Sequence, residues 1–305
     1  MVPERTWLLN ASSASRGPFW PEARGWYFCD VSSFVLSSAT AADYPAFARL
    51  FPELGVVDPL PTADLFAGLI APQSIVAREG ETIVGFAWSR PRGEQWHVVV
   101  VITDPAYRRR GVGRALMKEL AKRGRAMGFD RWMLRVKPEN LAARGLYEAC
   151  GLRSVLEGVR LHVAWADLAR LPLPPAGTLA SSLAAADDPR FEHALDLAPG
   201  ELSSYRALRP ERLFVGASTD GVPVACVAFD PALPGATGFW ARSPGCARAV
   251  LEALLPHASP EHSRLFVSLE GDPVLEATLV GTGATVTMRT LRMAGDISGE
   301  TRAAQ

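Results

Sequence analysis

Hydrophobic and polar positions change period repeatedly along the chain and outline a mixed α/β protein. FVLSSAT (34–40) predicts a strand, and AADYPAFARLF and TADLFAGLI predict amphipathic helices with Thr40 or Ala41 and Thr62 at their starts. SIVAREGETIVGFAW (74–88) predicts a hairpin, two β-rich runs around the polar turn Glu79–Gly80–Glu81. HVVVVIT (97–103) is β-branched on both faces, the pattern of a buried strand. In RALMKELAKRGRAMG, Leu116, Leu120 and Met127 share a helical face and Gly128 provides a stop. WMLRV (132–136), a helix from Leu141 to Cys150 and a long strand near 153–165 complete a lobe of order β-α-α-β-β-β-α-β-α-β.

Proline then concentrates in DLARLPLPPAGT (167–178), which breaks helices and central strands alike and marks a linker, placed at 169–176. Beyond it the pattern starts again. LFVGASTDGVPVACVAF (213–229) parallels the first hairpin, GCARAVLEAL (245–254) parallels GVGRALMKEL, and RLFVSLEGDPVLEATLVGTGATVTMRTLRM parallels the end of the first lobe. Such self-similarity predicts an internal duplication, against the alternative of two unrelated lobes with common patterning. The expected organisation is an extension over 1–33, a first domain over 34–168, a second over 177–297 and a tail over 298–305. The extension carries Trp7, Phe19, Trp20, Trp26, Tyr27 and Phe28, too many aromatics for a disordered tail. Packing on the first lobe or at the lobe interface would account for them, as would roofing a substrate-binding cleft.

Composition narrows the partners. At 305 residues and 48% hydrophobic, the chain has apolar material for two cores. A formal net charge of zero gives no reason to expect nucleic acid or an anionic membrane, and points to a small molecule or a local peptide. Cys29, Cys150, Cys226 and Cys246 lie far apart, which argues against a zinc site and suggests a reducing cytoplasm. No apolar run reaches membrane-spanning length, and Pro3, Glu4 and Arg5 follow Met1 without a signal core, so a soluble, unprocessed protein is expected.

The most informative segment is VVVVITDPAYRRRGVGRALMKEL (98–120), where a strand runs through a glycine-containing turn into a helix. Unpaired first-turn amides and the helix dipole favour an anion there, and Gly111 and Gly113, flanking Val112, let backbone approach a phosphate. Arg108, Arg109, Arg110 and Arg114 add positive charge. The loop is neither G-x-x-x-x-G-K-[ST] nor a G-x-G-x-x-G that opens a βαβ unit. It matches R-x-x-G-x-G at Arg108, Gly111 and Gly113, and resembles the pyrophosphate-binding motif of the GNAT acetyltransferases. Downstream, Asn140, Ala143, Leu146, Tyr147 and Gly151 fall on that family's N-x-x-A-x-x-L-Y-E-x-x-G-[FL] pattern, so the resemblance covers roughly residues 34–166.

The resemblance implies a GNAT fold, a central mixed sheet flanked by helices, here in two tandem lobes. It implies acetyl-CoA as co-substrate, no metal, and transfer of acetyl to an amine by direct attack in a ternary complex. Val101, Ile102 and Thr103 would face the pantetheine arm, Arg109 to Arg114 would hold the pyrophosphate, and Asn140 would bond the arm from its other side. Asn140 also stands where a helix N-cap belongs. Tyr147 resembles the general acid, with a core aromatic as its alternative. His97 occupies a strand position where several members place a basic carboxylate, and Glu94 competes for that role. In the second lobe, Arg242 to Ala247 formally fits R-x-x-G-x-A, but Pro244 removes an amide. Leu279 or Val280 stands where Tyr147 would recur, and Asp272 or Pro273 where Asn140 would, so this lobe reads as degenerate. The leading expectation is an enzyme acetylating a primary amine of a small molecule. A protein or peptide acetyltransferase and a CoA-binding sensor without turnover are the alternatives, and retention of Tyr147 weighs against the sensor.

Overall fold

Thr40 starts the first helical segment by closing a capping box: its backbone N–H donates to Asp43 Oδ2 at 2.8 Å. In the computed structural model, which describes residues 34–297 apart from 57, 210, 233, 259 and 260, this segment follows strand β1 (Val35–Ser38) and becomes α1 (Tyr44–Leu50). The expectations for 1–33 and 298–305 lie outside the described residues. Thr62 caps the next helix through Oγ1, but only Ala63–Leu65 (α2) is α-helical and Phe66–Ile70 forms a π turn, not the regular helix expected. Pro72 has no N–H to continue an α ladder to Gly68, which suits the wider turn. The turn seats Phe66 in the core, stacked on Phe47 at 4.9 Å between centroids.

Strands β2 (Ser74–Glu79), β3 (Thr82–Arg92) and β4 (Gln95–Thr103) form an antiparallel meander. On β3 the step from Ser89 to Trp88 faces Val98 and Val100 on β4, so Val99 is an extra residue, a β-bulge. The bulge matters because β4 pairs in parallel with β5 (Arg131–Val136) only at Trp96↔Trp132 and His97↔Met133. Past His97 the strands part and leave a V-shaped opening. Val99, Val100 and Val101 are accordingly only half-buried, short of the two-sided burial expected from their β-branching.

Helix α3 (Val112–Ala126) covers one face with Val112, Leu116, Met117, Leu120, Ala121 and Gly124 buried. Met127 does not share that face as expected: the helix ends at Ala126, Gly128 turns left-handed at φ +87°, and Met127 is 58% exposed. Helix α4 (Leu141–Ala149) and β6 (Arg153–Ala164) finish the first half, in the element order expected.

The second half repeats the order with β7 (Thr178–Ser182), α5 (Asp188–Ala194), α6 (Glu201–Leu208), β8 (Leu213–Thr219), β9 (Val222–Asp230), β10 (Gly235–Ala241), α7 (Pro244–Glu252), β11 (Arg264–Glu270), α8 (Pro273–Gly281) and β12 (Thr285–Asp296). Its parallel pair β10–β11 also makes two rungs, Gly235↔Phe266 and Ala236↔Val267, before diverging.

The halves share one mixed twelve-stranded sheet of order β1-β2-β3-β4-β5-β12-β6-β11-β10-β9-β8-β7, flanked by helices. The final strands are exchanged: β12 runs antiparallel between β5 and β6, and β6 pairs with β11. Met293 and Ile297 therefore fill the first half's core, while Val159, Leu161 and Val163 fill the second's. Each such burial contributes roughly 1.5–3 kcal/mol, so the exchange ties the cores together.

Candidate active site

The glycine loop is built by the end of β4. Asp104 accepts from the Ala106 N–H at 3.0 Å and starts a 3-10 turn over Pro105–Tyr107. Arg109 is left-handed at φ +65°, where a non-glycine residue stores strain of order 1–3 kcal/mol, and Gly111 follows at φ +84° as the cap residue of α3. The first-turn amides of α3 have no partner within the helix and face the site with the dipole's positive end. Carboxylates restrain two of the four expected arginines. Arg108 pairs with Glu53 at 2.5 Å, and Arg110 pairs with Glu79 at 2.6 Å with its guanidinium 4.7 Å from the Tyr107 ring centroid. Arg109 and Arg114 are exposed.

Strand end, loop and α4 converge at Gly113. A Cβ there would lie 3.0 Å from Leu146 Cδ2 and 3.6 Å from Thr103 Oγ1, whereas one at Gly111 would meet nothing within 4 Å. A phosphate-sized group thus has open backbone at Gly111 and a helix kept close by Gly113. Val101, Ile102 and Thr103 pair with β3 on one edge and face the V-shaped opening on the other. Asn140 is the N-cap of α4, with Oδ1 accepting from the Ala143 N–H at 3.1 Å. Tyr147, two turns on, is 8% exposed within the α3-side core, and burial, with Cys150 beside it, pushes its phenol up to about 12.

His97 lies at the apex of the opening on the other face of the sheet. It is 6% exposed, and burial together with Arg90, Arg92, Arg135 and Arg292 holds it well below the usual imidazole value, hence neutral at pH 7. Register explains the company: Arg90 sits opposite His97 on β3, Met133 opposite on β5 with Arg135 two residues along, and Arg292 opposite Arg135 on β12. Glu94 is exposed in the β3–β4 turn. From the second half, Glu201 of α6 accepts from Arg92 at 2.6 Å, while Glu270 of β11 pairs with Arg135 and lies 3.6 Å from Arg292. Sequence reasoning missed this network. A trace of it was present in Arg90 and Arg92, charges alternating at strand period along an otherwise apolar hairpin.

The second half lacks the loop. Eight residues separate Thr103 from Val112, but only Arg242 and Ser243 separate Ala241 from Pro244, so the R-x-x-G-x-A echo lies largely inside the first turn of α7. Ser243 Oγ caps that turn itself, accepting from the Cys246 N–H at 3.2 Å. The linker covers it, since a Cβ on Gly245 would lie 2.5 Å from the Leu173 carbonyl oxygen. Asp272 caps α8 as Asn140 caps α4, which puts buried Leu279 at the position of Tyr147. Between the diverging β10 and β11 lies a cleft of about 190 Å³ lined by Trp240, Arg242, Glu270 and Asp272 among others. Among the described residues no cluster of His, Cys, Asp and Glu could hold a metal ion, and no helix is long and apolar enough to cross a membrane.

Comparison with known proteins bears on the same region. The sequence profile of the Acetyltransferase (GNAT) family matches residues 44–152. The N-alpha-acetyltransferase RimI of Mycobacterium tuberculosis is 33% identical in a 133-residue alignment that covers 41% of this chain and 82% of that protein. Among solved structures, a GCN5-related N-acetyltransferase from Sphaerobacter thermophilus superposes with a TM-score of 0.62 at 18% identity, covering 87% of this chain and 96% of the other. A tandem GNAT protein from the clavulanic acid biosynthesis pathway gives 0.60 at 18% identity, covering 87% and 98%. The family match over residues 44–152 spans the strands that part, the loop and the helix that follows, and with the RimI relative it shows that the chain belongs to the GNAT family of acetyltransferases.

Proposed function

We propose that this enzyme moves an acetyl group from acetyl-CoA to a primary amine of a small molecule, by direct attack of the amine within a ternary complex. The observation that carries the reading is the convergence of Thr103, Gly113 and Leu146 beside the opening between β4 and β5, with Tyr147 next along α4. Acetyl-CoA, when bound, supplies an acyl group already activated as a thioester. Backbone amides from Arg109 to Arg114 hold its pyrophosphate, with the side chains of Arg108 to Arg110 and Arg114 around it. The free edge of Val101, Ile102 and Thr103 bonds the pantetheine arm and offers an N–H to the thioester carbonyl, and Asn140 bonds the arm from the far side. His97, neutral at pH 7, is the residue assigned to accept the amine proton, a weak base because burial and four arginines disfavour its imidazolium, and Tyr147, protonated throughout the neutral range, delivers one to the departing sulfur. The chain supplies alignment and proton management, without a covalent enzyme intermediate.

The relative named as an N-alpha-acetyltransferase supports a second reading, acetylation of a protein N-terminus. The small-molecule reading is favoured by α6 of the second half, which closes over the His97 face through the Arg92–Glu201 pair. Tyr147→Phe tests the chemistry by deleting the hydroxyl while keeping the ring. With thiol release followed over an amine panel, kcat falls by roughly 10²–10⁴ while acetyl-CoA affinity changes far less. A Phe variant turning over within a few-fold of the parent removes Tyr147 from the chemistry.

A further inference from the structure

The face of the sheet around His97 carries more positive charge than the protein neutralises. Four guanidinium groups, Arg90, Arg92, Arg135 and Arg292, act on the imidazole, and the carboxylates paired with them are Glu201 and Glu270. Arg90, Arg92 and His97 are 7, 5 and 6% exposed, yet Arg90 Nε, Arg92 Nη1, His97 Nδ1 and Arg292 Nε are buried without a hydrogen-bond partner. Buried guanidinium N–H groups are costly to leave unmade, and a cluster of them on one side of one site is not what a purely structural salt-bridge network presents. Only the outer members of the cluster are reachable. The side chains of Arg135 and Arg292 are 32 and 24% exposed, and β6 beside them is exposed from Arg153 to Glu157.

We propose that this face is an anion subsite of the acceptor cleft, in which Arg135 and Arg292, backed by Arg90, Arg92 and His97, hold a carboxylate or phosphate carried by the amine substrate. The inference rests on the acetyl-transfer reading above and names the substrate class. Its position fits, because the cluster surrounds the apex where β4 and β5 part, while the glycine loop lies at the far end of β4. Its chemistry fits as well. Guanidinium forks bind carboxylate and phosphate bidentately, and a low-dielectric wall strengthens the bond. Tyr205 of α6 adds an aromatic wall, its ring centroid 5.4 Å from the Arg92 guanidinium. Burial lowers Arg90 to about 10, with Arg92 and Arg212 acting in the same direction, whereas Tyr205, Glu201 and Glu270 hold Arg92 above its usual value despite its burial.

Titration of glutarate and of inorganic phosphate into the whole chain, without acetyl-CoA, tests the subsite directly. The parent binds at least one of them, and Arg135→Gln and Arg292→Gln each weaken that binding by about tenfold or more. The anion bound more tightly identifies the group recognised. Each variant leaves Glu270 with two arginines and so lowers the thermal stability of the parent less than Glu270→Gln, which strands three. Uptake of neither anion by the parent, or unchanged uptake in both variants, overturns the proposal. So does an Arg292→Gln protein as destabilised as Glu270→Gln with its anion binding intact. In turnover, γ-aminobutyrate or O-phosphoethanolamine exceeds n-butylamine in kcat/KM by about tenfold or more, and the ratio falls toward one in Arg292→Gln. A parent enzyme that prefers butylamine also overturns the subsite. Acetyl-CoA binding by the parent is measured separately, so its absence strikes the transfer reading while the anion titration still decides the subsite.

Discussion

His97 is a histidine whose position in the fold determines its charge. Arg90 faces it from β3, Arg92 lies beyond on the same strand, Arg135 approaches from β5 and Arg292 from β12, and all four, together with burial, disfavour the imidazolium. In the unfolded chain the same imidazole titrates near 6.5, so below that pH the unfolded state binds a proton that the folded state refuses. Stability contributed by this residue is therefore complete above about pH 6.5. It is lost as pH falls, by about 1.4 kcal/mol per unit, until the depressed folded value is reached. His97→Gln should flatten this part of the profile, measured as the difference in unfolding free energy between parent and variant from pH 7.5 to 5. Identical slopes in the two proteins would mean that His97 is protonated in place. At this scale the sequence marked His97 as a candidate but gave no hint of its charge. Arg92, Arg135 and Arg292 lie too far apart in the chain, and look too much like solvated charges, to be read as one cluster.

Elements were the most legible level, because their signals are local. Thr40, Thr62 and Asn140 cap the helices they precede, and the hairpin turns at Gly80 as its residues require. The exceptions have local causes too: the π turn before Pro72, the helix end that releases Met127, and the bulge at Val99 that no hydrophobic period reports. Loop length separates the two halves more sharply than the glycine motif does. An anion cradle needs residues between strand and helix whose amides can turn inward. The first half has eight, and the second has two, one a self-capping serine with the linker packed over the following turn. The expected stoichiometry is one acetyl-CoA per chain, measured by calorimetric titration. A value near two would require α7 to shed the linker and would make both halves functional.

The whole molecule was the least legible level. A strand's alternation says which face it buries and not which strand lies beside it, and β6 and β12 carry equally serviceable patterns, so the exchange of final strands left no mark in the sequence. It follows from the pairing that neither half is complete. In a chain cut to residues 34–170, β6 would lose both its neighbours, β11 and β12, and β5 would gain an open edge. The first core would lose Met293 and Ile297, and Val159, Leu161 and Val163 would be left with no core to enter. Removing two large core side chains costs about 2–5 kcal/mol each, which together can consume the roughly 5–15 kcal/mol by which a domain is stable, before the lost strand pairing is counted. The isolated first half could escape only by closing β6 directly onto β5, and β6's bulge-broken register was matched to β12 over Arg153–His162. The 34–170 fragment should therefore show no cooperative thermal transition and poor amide dispersion, and added 171–297 fragment should restore both. A fragment that melts cooperatively alone, with β5–β6 contacts in its NOE pattern, would show that the exchange is dispensable and that each half can close its own sheet.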